Sequence, residues 1–231
     1  MATLTIPGVQ AIVTDIEGTT TDIAFVKDVL FPYAYEALPE FVRTHSTEPV
    51  VAAELAAVRQ EMGQSDASLD AVIEQLLHWI DTDQKVTPLK ALQGMVWIQG
   101  YETGDFTAHL YDDVAPSLQR WASEGKALYV YSSGSVQAQK LLFAHTPAGD
   151  LTPLFSDYFD TQIGHKRESA AYAHIVRQIG RPANTILFLS DIVEELDAAR
   201  QAGMQTVQLV RPGTEPTNEH ATVTDFYQLV F

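Results

Sequence analysis

The chain has 231 residues, is 46% hydrophobic, contains no cysteine and carries a formal net charge of -16. That length admits one large core with room for an insertion. The missing thiols exclude disulfides and thiolate chemistry, and the charge repels nucleic acid and anionic membranes. Met1 to Gln10 lacks the basic start and long apolar stretch of a signal peptide, and no apolar run approaches membrane-spanning length. The expectation is a cytoplasmic protein, and its acidic surface without a self-association stripe favours a monomer.

The first element is the apolar run Ala11-Ile12-Val13, read as a strand that ends in Asp15-Ile16-Glu17-Gly18-Thr19-Thr20. Two carboxylates so close to a strand end raise each other's pKa, and such pairs hold metals or perform catalysis when they are not structural ion pairs. Gly18 permits a sharp turn, and the Thr19 and Thr20 hydroxyls and amides suit an anion. From there to about Asp112 the pattern is helical. Ser68 is the expected N-cap of a stripe made by Leu69, Val72, Ile73, Leu76, Leu77 and Ile80. Thr87-Pro88 reads as the cap and first position of the next helix. The division expected is residues 1–20 with 110–231 as a core, and 21–109 as an inserted helical domain.

The βα alternation resumes with a helix from Pro116 to Glu124, stopped by Gly125, before the strand Ala127 to Tyr131. This strand runs into Ser132-Ser133-Gly134-Ser135, and Ile163-Gly164-His165-Lys166 precedes a helix beginning near Glu168. The run Thr185 to Leu189 enters Ser190-Asp191, a helix spans Glu194 to Ala202, and a last strand covers Thr206 to Val210 before the turn Arg211-Pro212-Gly213. Continuous apolar runs of this length suit strands buried on both faces of a parallel sheet. The fold class expected is α/β, a doubly wound parallel sheet with a Rossmann-like core and an inserted helical cap. Ligands bind beyond the carboxyl ends of such strands, so the polar residues following separate strands can converge.

The set suits phosphoryl transfer to a carboxylate. Asp15 can attack phosphorus to give an aspartyl-phosphate. Asp15 and Asp191, with Glu17 beside them, can hold one Mg2+, a hard ion that takes one or two carboxylates together with water and phosphate oxygens. Ser132 and Ser133 can bind the transferring oxygens while Lys166 supplies fixed positive charge. Glu17 can protonate the leaving oxygen and deprotonate the attacking water. A bound cation with Lys166 would also make a phosphate site locally positive inside an acidic protein.

Each residue has a plainer reading. Ser132 or Ser133 can cap the helix of Ser135 to His145, Asp191 can cap the helix at Glu194, and Lys166 can be a solvated lysine. Glu194 and Glu195 favour the helix dipole, and Arg167 and Glu168 read as solvated residues at a helix start. His165 reads as a surface loop residue, and the seven histidines show no zinc-like pairing. Trp79 reads as core, with Trp97 more often core than substrate contact; Tyr101, in the loop-like Gly100 to Gly104, is open between core and substrate contact.

Asp15, Ser132, Lys166 and Asp191, in that order along the chain, resemble the haloacid-dehalogenase-like phosphohydrolases from Ala11 to Val210. Glu17 departs from the pattern, since most members carry Asp there. The spelling Asp15-Ile16-Glu17-Gly18-Thr19-Thr20, with Tyr131 to Ser135, Gly164-His165-Lys166 and Leu189-Ser190-Asp191, is similar to the enolase-phosphatase branch of methionine salvage. The resemblance implies that 2,3-diketo-5-methylthiopentyl-1-phosphate is enolised and then dephosphorylated to the acireductone, and that the helical insert is a mobile cap. The base for enolisation stays open. Three rivals remain: a phosphatase for another small phosphate ester, a dehalogenase that needs no Mg2+, and a non-enzymatic phospho-acceptor module, which would be about half this length with its acceptor on a later strand.

Overall fold

The computed structural model describes residues 3–231. In chain order it begins with Leu4–Thr5 (β1) and Ala11–Thr14 (β2). Ile23–Phe25 (α1) passes through a π-helical turn at Val26–Leu30 into Phe31–His45 (α2), followed by Pro49–Glu61 (α3), Leu69–Asp81 (α4) and Thr87–Thr103 (α5). The remainder alternates: Val114–Ser123 (α6), Ala127–Tyr131 (β3), Val136–Ala144 (α7), Phe155–Phe159 (β4), Ser169–Ile179 (α8), Ile186–Ser190 (β5), Val193–Gln201 (α9) and Gln205–Leu209 (β6). Ala221–Val223 (β7) and Leu229–Val230 (β8) close the chain. Among the described residues no helix is long and apolar enough to cross a membrane.

The chain divides into two compact units, Met1–Ile23 with Ala108–Phe231, and Ala24–Thr107. The first is an α/β unit whose main sheet has the order β4-β3-β2-β5-β6-β7, all neighbours parallel, while β1 pairs with β8 in a separate two-stranded sheet. Ala11, Val13, Tyr131, Ile186 and Phe188 share a buried cluster with Ala171, Tyr172 and Ile175 of α8 and Leu196, Ala198 and Ala199 of α9. By strand alternation Ile12, Leu128, Val130, Leu187 and Leu189 point to the opposite face, and they too are buried. Burial on both faces accounts for the unbroken apolar spelling of β2 and β5.

Register is what places the chemistry. Thr14 of β2 lies opposite Val130 of β3 and Leu189 of β5. Asp15, Tyr131 and Ser190 therefore stand at one level, with Ser132 and Asp191 one residue further out. Strand order reverses on either side of β2, making this the switch point where open α/β sheets bind ligands.

The second unit is all-helical, with Leu38, Val42, Leu55, Val58, Leu76 and Leu92 in its core. Ser68 caps α4, accepting from the Ala71 N–H at 3.2 Å, and Trp79 is core. Two expectations shift. Val86 is the N-cap of α5, so Thr87 and Pro88 are its first two residues, and a rigid proline fits there because that N–H is unused. The segment read as a loop around Tyr101 is the last turn of α5, ended by Gly104 at φ 77. Tyr101 is buried edge-on against Phe106, with centroids 4.5 Å apart, and a side chain at Gly100 would strike Phe106 and Tyr33.

Smaller differences fall at element ends. The helix expected from Pro116 begins at Val114, and the strand expected from Thr206 runs from Gln205 to Leu209. The edge strands β4 and β7 carried no unbroken apolar run for the sequence to show. In Phe155–Phe159, Ser156 and Asp157 are exposed because the strand has a neighbour on one side only.

Candidate active site

Asp15 is buried just beyond β2, and its own N–H continues the ladder to the Leu189 carbonyl at 2.9 Å. Its Oδ1 accepts from the Ile16 N–H at 2.7 Å and from Lys166 Nζ at 2.6 Å. Lys166 is not the solvated lysine of the plainer reading: it is 7% exposed and also contacts Glu195 Oε2 at 2.8 Å. Burial opposes its charge, but the two carboxylates outweigh burial and hold the ammonium well above the ordinary lysine range.

Two tyrosines fix the loop that delivers this lysine. Tyr131 donates to the Gly164 carbonyl at 2.9 Å and Tyr172 to the Lys166 carbonyl at 2.8 Å. Gly164 has φ 143, and a Cβ there would meet the Ala171 Cβ at 2.8 Å, so glycine lets the loop lie against α8.

Asp191, partly buried, follows β5. Its main-chain N–H donates to Thr19 Oγ1 at 3.1 Å, while its buried Oδ1 has no hydrogen-bond partner. Burial first, then the charge of Asp15, pushes its carboxyl up to about 7. Gly18, at φ 72, lies against that carboxylate: a Cβ would come within 2.6 Å of the Asp191 carboxyl carbon. Asp191 is also not the cap of α9, since Ile192 holds that position without a side-chain bond. An orphaned oxygen on a buried carboxylate that also feels the charge of Asp15 is a reason for a cation. Among the described residues no three His, Cys, Asp or Glu side chains form a metal cage, so Asp15, Glu17 and Asp191 do not close into one. Two carboxylates without a full cage fit Mg2+, which keeps several waters and phosphate oxygens.

Ser132 is buried and Ser133 half-buried. Ser132 Oγ accepts from the Gly134 N–H at 3.1 Å, whereas the cap of α7 is Ser135, which accepts from Ala138 at 3.3 Å. The capping expectation for Ser132 and Ser133 is thus corrected, because Gly134 adds the residues needed to turn before the helix starts. The anion role expected of Thr19 and Thr20 is corrected as well. Both are fully buried, their N–H groups donate to the Ile16 carbonyl, and the Thr20 hydroxyl donates to the same oxygen at 3.1 Å. Glu17 is half-buried beside Gly18, in a bridge with Thr21. His165, Arg167 and Glu168 are exposed, as expected.

Sequence reading missed Glu195. It is buried, bonded to Lys166 and to the Ser190 hydroxyl at 3.0 Å, and pushed above the ordinary carboxylate range by burial and by Asp15. A signal existed: Glu195 is one helical turn before Ala199, on the buried stripe of α9, rather than on a solvated face.

This arrangement, a strand-end carboxylate held by a buried lysine with a second acid from the neighbouring strand, is that of a phosphate- or halide-displacing hydrolase built on a parallel sheet. The family model for haloacid dehalogenase-like hydrolases matches residues 9–203, and the chain belongs to that family. Among its relatives, the protein named Enolase-phosphatase E1 of Pseudomonas aeruginosa is 59% identical over 96% of this chain and 98% of its own. That of Azotobacter vinelandii is 58% identical over 94% and 96%. The crystal structure of the Unknown transcript 4 protein of Saccharomyces cerevisiae superposes with a TM-score of 0.80 at 36% identity, covering 94% of this chain and 98% of that one.

Proposed function

We propose that this chain is a bifunctional enolase-phosphatase that converts 2,3-diketo-5-methylthiopentyl-1-phosphate to its enol phosphate and then to the acireductone 1,2-dihydroxy-3-keto-5-methylthiopentene and phosphate, in methionine salvage. The observation that carries the reading is the 59% identity, over nearly the whole of both chains, to a protein named Enolase-phosphatase E1. The site supports the same chemistry. Asp15 attacks phosphorus; the bond from phosphorus to the carbon 1 oxygen breaks, and that oxygen takes a proton from Glu17. Water then attacks the aspartyl-phosphate, returns its proton to Glu17, and frees phosphate and Asp15. Lys166 keeps Asp15 oriented and offsets its charge, and Ser132 with Ser133 receives the phosphoryl oxygens.

Asp15 and Asp191, with one oxygen of Glu17, would hold a single Mg2+; when bound, it neutralises phosphate charge and polarises the substrate carbonyl. The orphaned Oδ1 of Asp191 supports that assignment. In the enolase half-reaction a base removes a proton from carbon 1, next to the carbon 2 carbonyl, and Glu17 is the residue to test first. The chain's net charge of -16 supports a monomer, and its lack of cysteine fits the reducing cytoplasm.

The test is incubation with the diketo phosphate and Mg2+, following enol phosphate by absorbance and phosphate by release. Both should appear in that order. Asp15→Asn keeps the shape but lacks the nucleophile, so phosphate release should vanish while enol phosphate accumulates. Product without an enol intermediate leaves a phosphatase for another ester, and phosphate release by Asp15→Asn at the parent rate refutes the aspartyl-phosphate.

A further inference from the structure

Arg211 looks in the sequence like the first residue of a surface turn, yet it is 5% exposed and sits in a polar knot. Its Nε donates to the Thr19 carbonyl at 3.0 Å, Nη1 to Asp113 Oδ1 at 2.8 Å and to the Thr224 carbonyl at 3.1 Å, and Nη2 to Asp113 Oδ2 at 2.8 Å. The guanidinium also lies over the Tyr111 ring, 4.2 Å from its centroid. Asp113 is equally buried and accepts from the Phe226 N–H at 2.6 Å. That commitment explains why Asp113, at the N-cap position of α6, makes no capping bond.

Four of the five guanidinium N–H groups are engaged and the charge is balanced by Asp113, so Arg211 has little left with which to grip a phosphate. What it grips is the turn that carries the acids. Thr19, whose carbonyl it holds, accepts the Asp191 N–H on its side chain, and the preceding residue is the glycine seated against the Asp191 carboxylate. Movement of the Thr19 main chain moves both of these supports, while Gln208 Nε2 separately donates to the Asp191 carbonyl at 3.0 Å.

We propose that Arg211, fixed by Asp113, is a positioning residue that sets Asp191 relative to Asp15, and that the C-terminal stretch from Thr224 to Phe226 is part of the same support. This rests on the reading of Asp191 as a metal-binding acid. The geometry requires arginine: a bidentate grip on Asp113 leaves Nε directed elsewhere, to Thr19, and a lysine offers no such fork. A purely stabilising ion pair would behave differently. A buried pair can be replaced by apolar residues of similar volume at little cost in stability, but the Thr19 carbonyl would then lose its donor.

The experiment uses the full chain in parent form, as Arg211→Met with Asp113→Leu, as Arg211→Lys, and as Asp191→Asn, below the melting temperature of each. Hydrogen exchange of the Asp191 amide is measured without metal, Mg2+ binding by calorimetry, and the Mg2+ dependence of phosphate release from the diketo phosphate. Loss of a supporting partner typically costs about ten- to a hundredfold in metal affinity. The double variant should show that loss with faster exchange at Asp191, with turnover at saturating Mg2+ changing far less, and Arg211→Lys should fall between it and the parent. A folded double variant with parent exchange and parent Mg2+ affinity overturns the proposal; if it does not fold, Arg211→Lys decides on the same criteria. Unchanged Mg2+ binding in Asp191→Asn would instead show the metal assignment to be wrong, and the proposal would fall with it.

Discussion

Replacing Gly18 by alanine tests the site at its tightest point. Gly18 has φ 72, a left-handed conformation that costs an alanine roughly 1–2 kcal/mol. For a chain of this size each kcal/mol lowers the melting temperature by about 2–4 °C, so the strain alone predicts a drop of about 2–8 °C. The larger effect is steric. The new Cβ would stand 2.6 Å from the Asp191 carboxyl carbon and 3.0 Å from Oδ1. Restoring ordinary contact with Asp191 Oδ2, the atom nearest the new Cβ, requires the carboxylate to retreat by about 1 Å, and a misplacement of that size costs on the order of a hundredfold in rate. Gly18→Ala should therefore fold with a modestly lowered melting temperature while Mg2+ affinity and phosphate release fall by about that factor. Calorimetric titration with Mg2+ and steady-state phosphate release measure the two. A variant with lowered melting temperature but parent Mg2+ affinity and turnover would refute the argument, because Asp191 would then tolerate displacement.

Lys166→Met leaves Asp15 and Glu195 facing each other without their shared cation, and breaking a buried pair in this way costs about 3–5 kcal/mol. The loss should be smaller at pH 5.5 than at pH 7.5 in urea unfolding, since protonation relieves the repulsion; an equal loss at both would contradict the pairing. For Asp191, a folded pKa of about 7 lies above its unfolded value, so between about pH 4 and 7 the metal-free fold binds more protons than the unfolded chain and loses stability as pH rises through that window. Mg2+ must displace that proton, so its apparent affinity should fall towards about tenfold per pH unit below pH 7. Calorimetry at pH 6 and 8 checks it, and pH-independent affinity would show that Asp191 does not ligate.

The sequence by itself determined the sheet class and the acids at its edge. Strands buried on both faces must be spelled with unbroken apolar runs, and a strand end marks where a following polar residue meets the ligand side. Asp15, Ser132 and Asp191 were legible for that reason, and Lys166 through its order among them. Only the tertiary structure decided which polar residues are buried partners. Glu195 spells a helix start and Arg211 spells a turn, and nothing local distinguishes a solvated charge from one desolvated by segments far away in the chain. Arg211 meets Asp113 and Thr19 across separations of 98 and 192 residues, and Lys166 meets Asp15 across 151. Such pairs exist because the parallel sheet brings distant strand ends to one edge, where an unpaired buried charge would be too costly to keep.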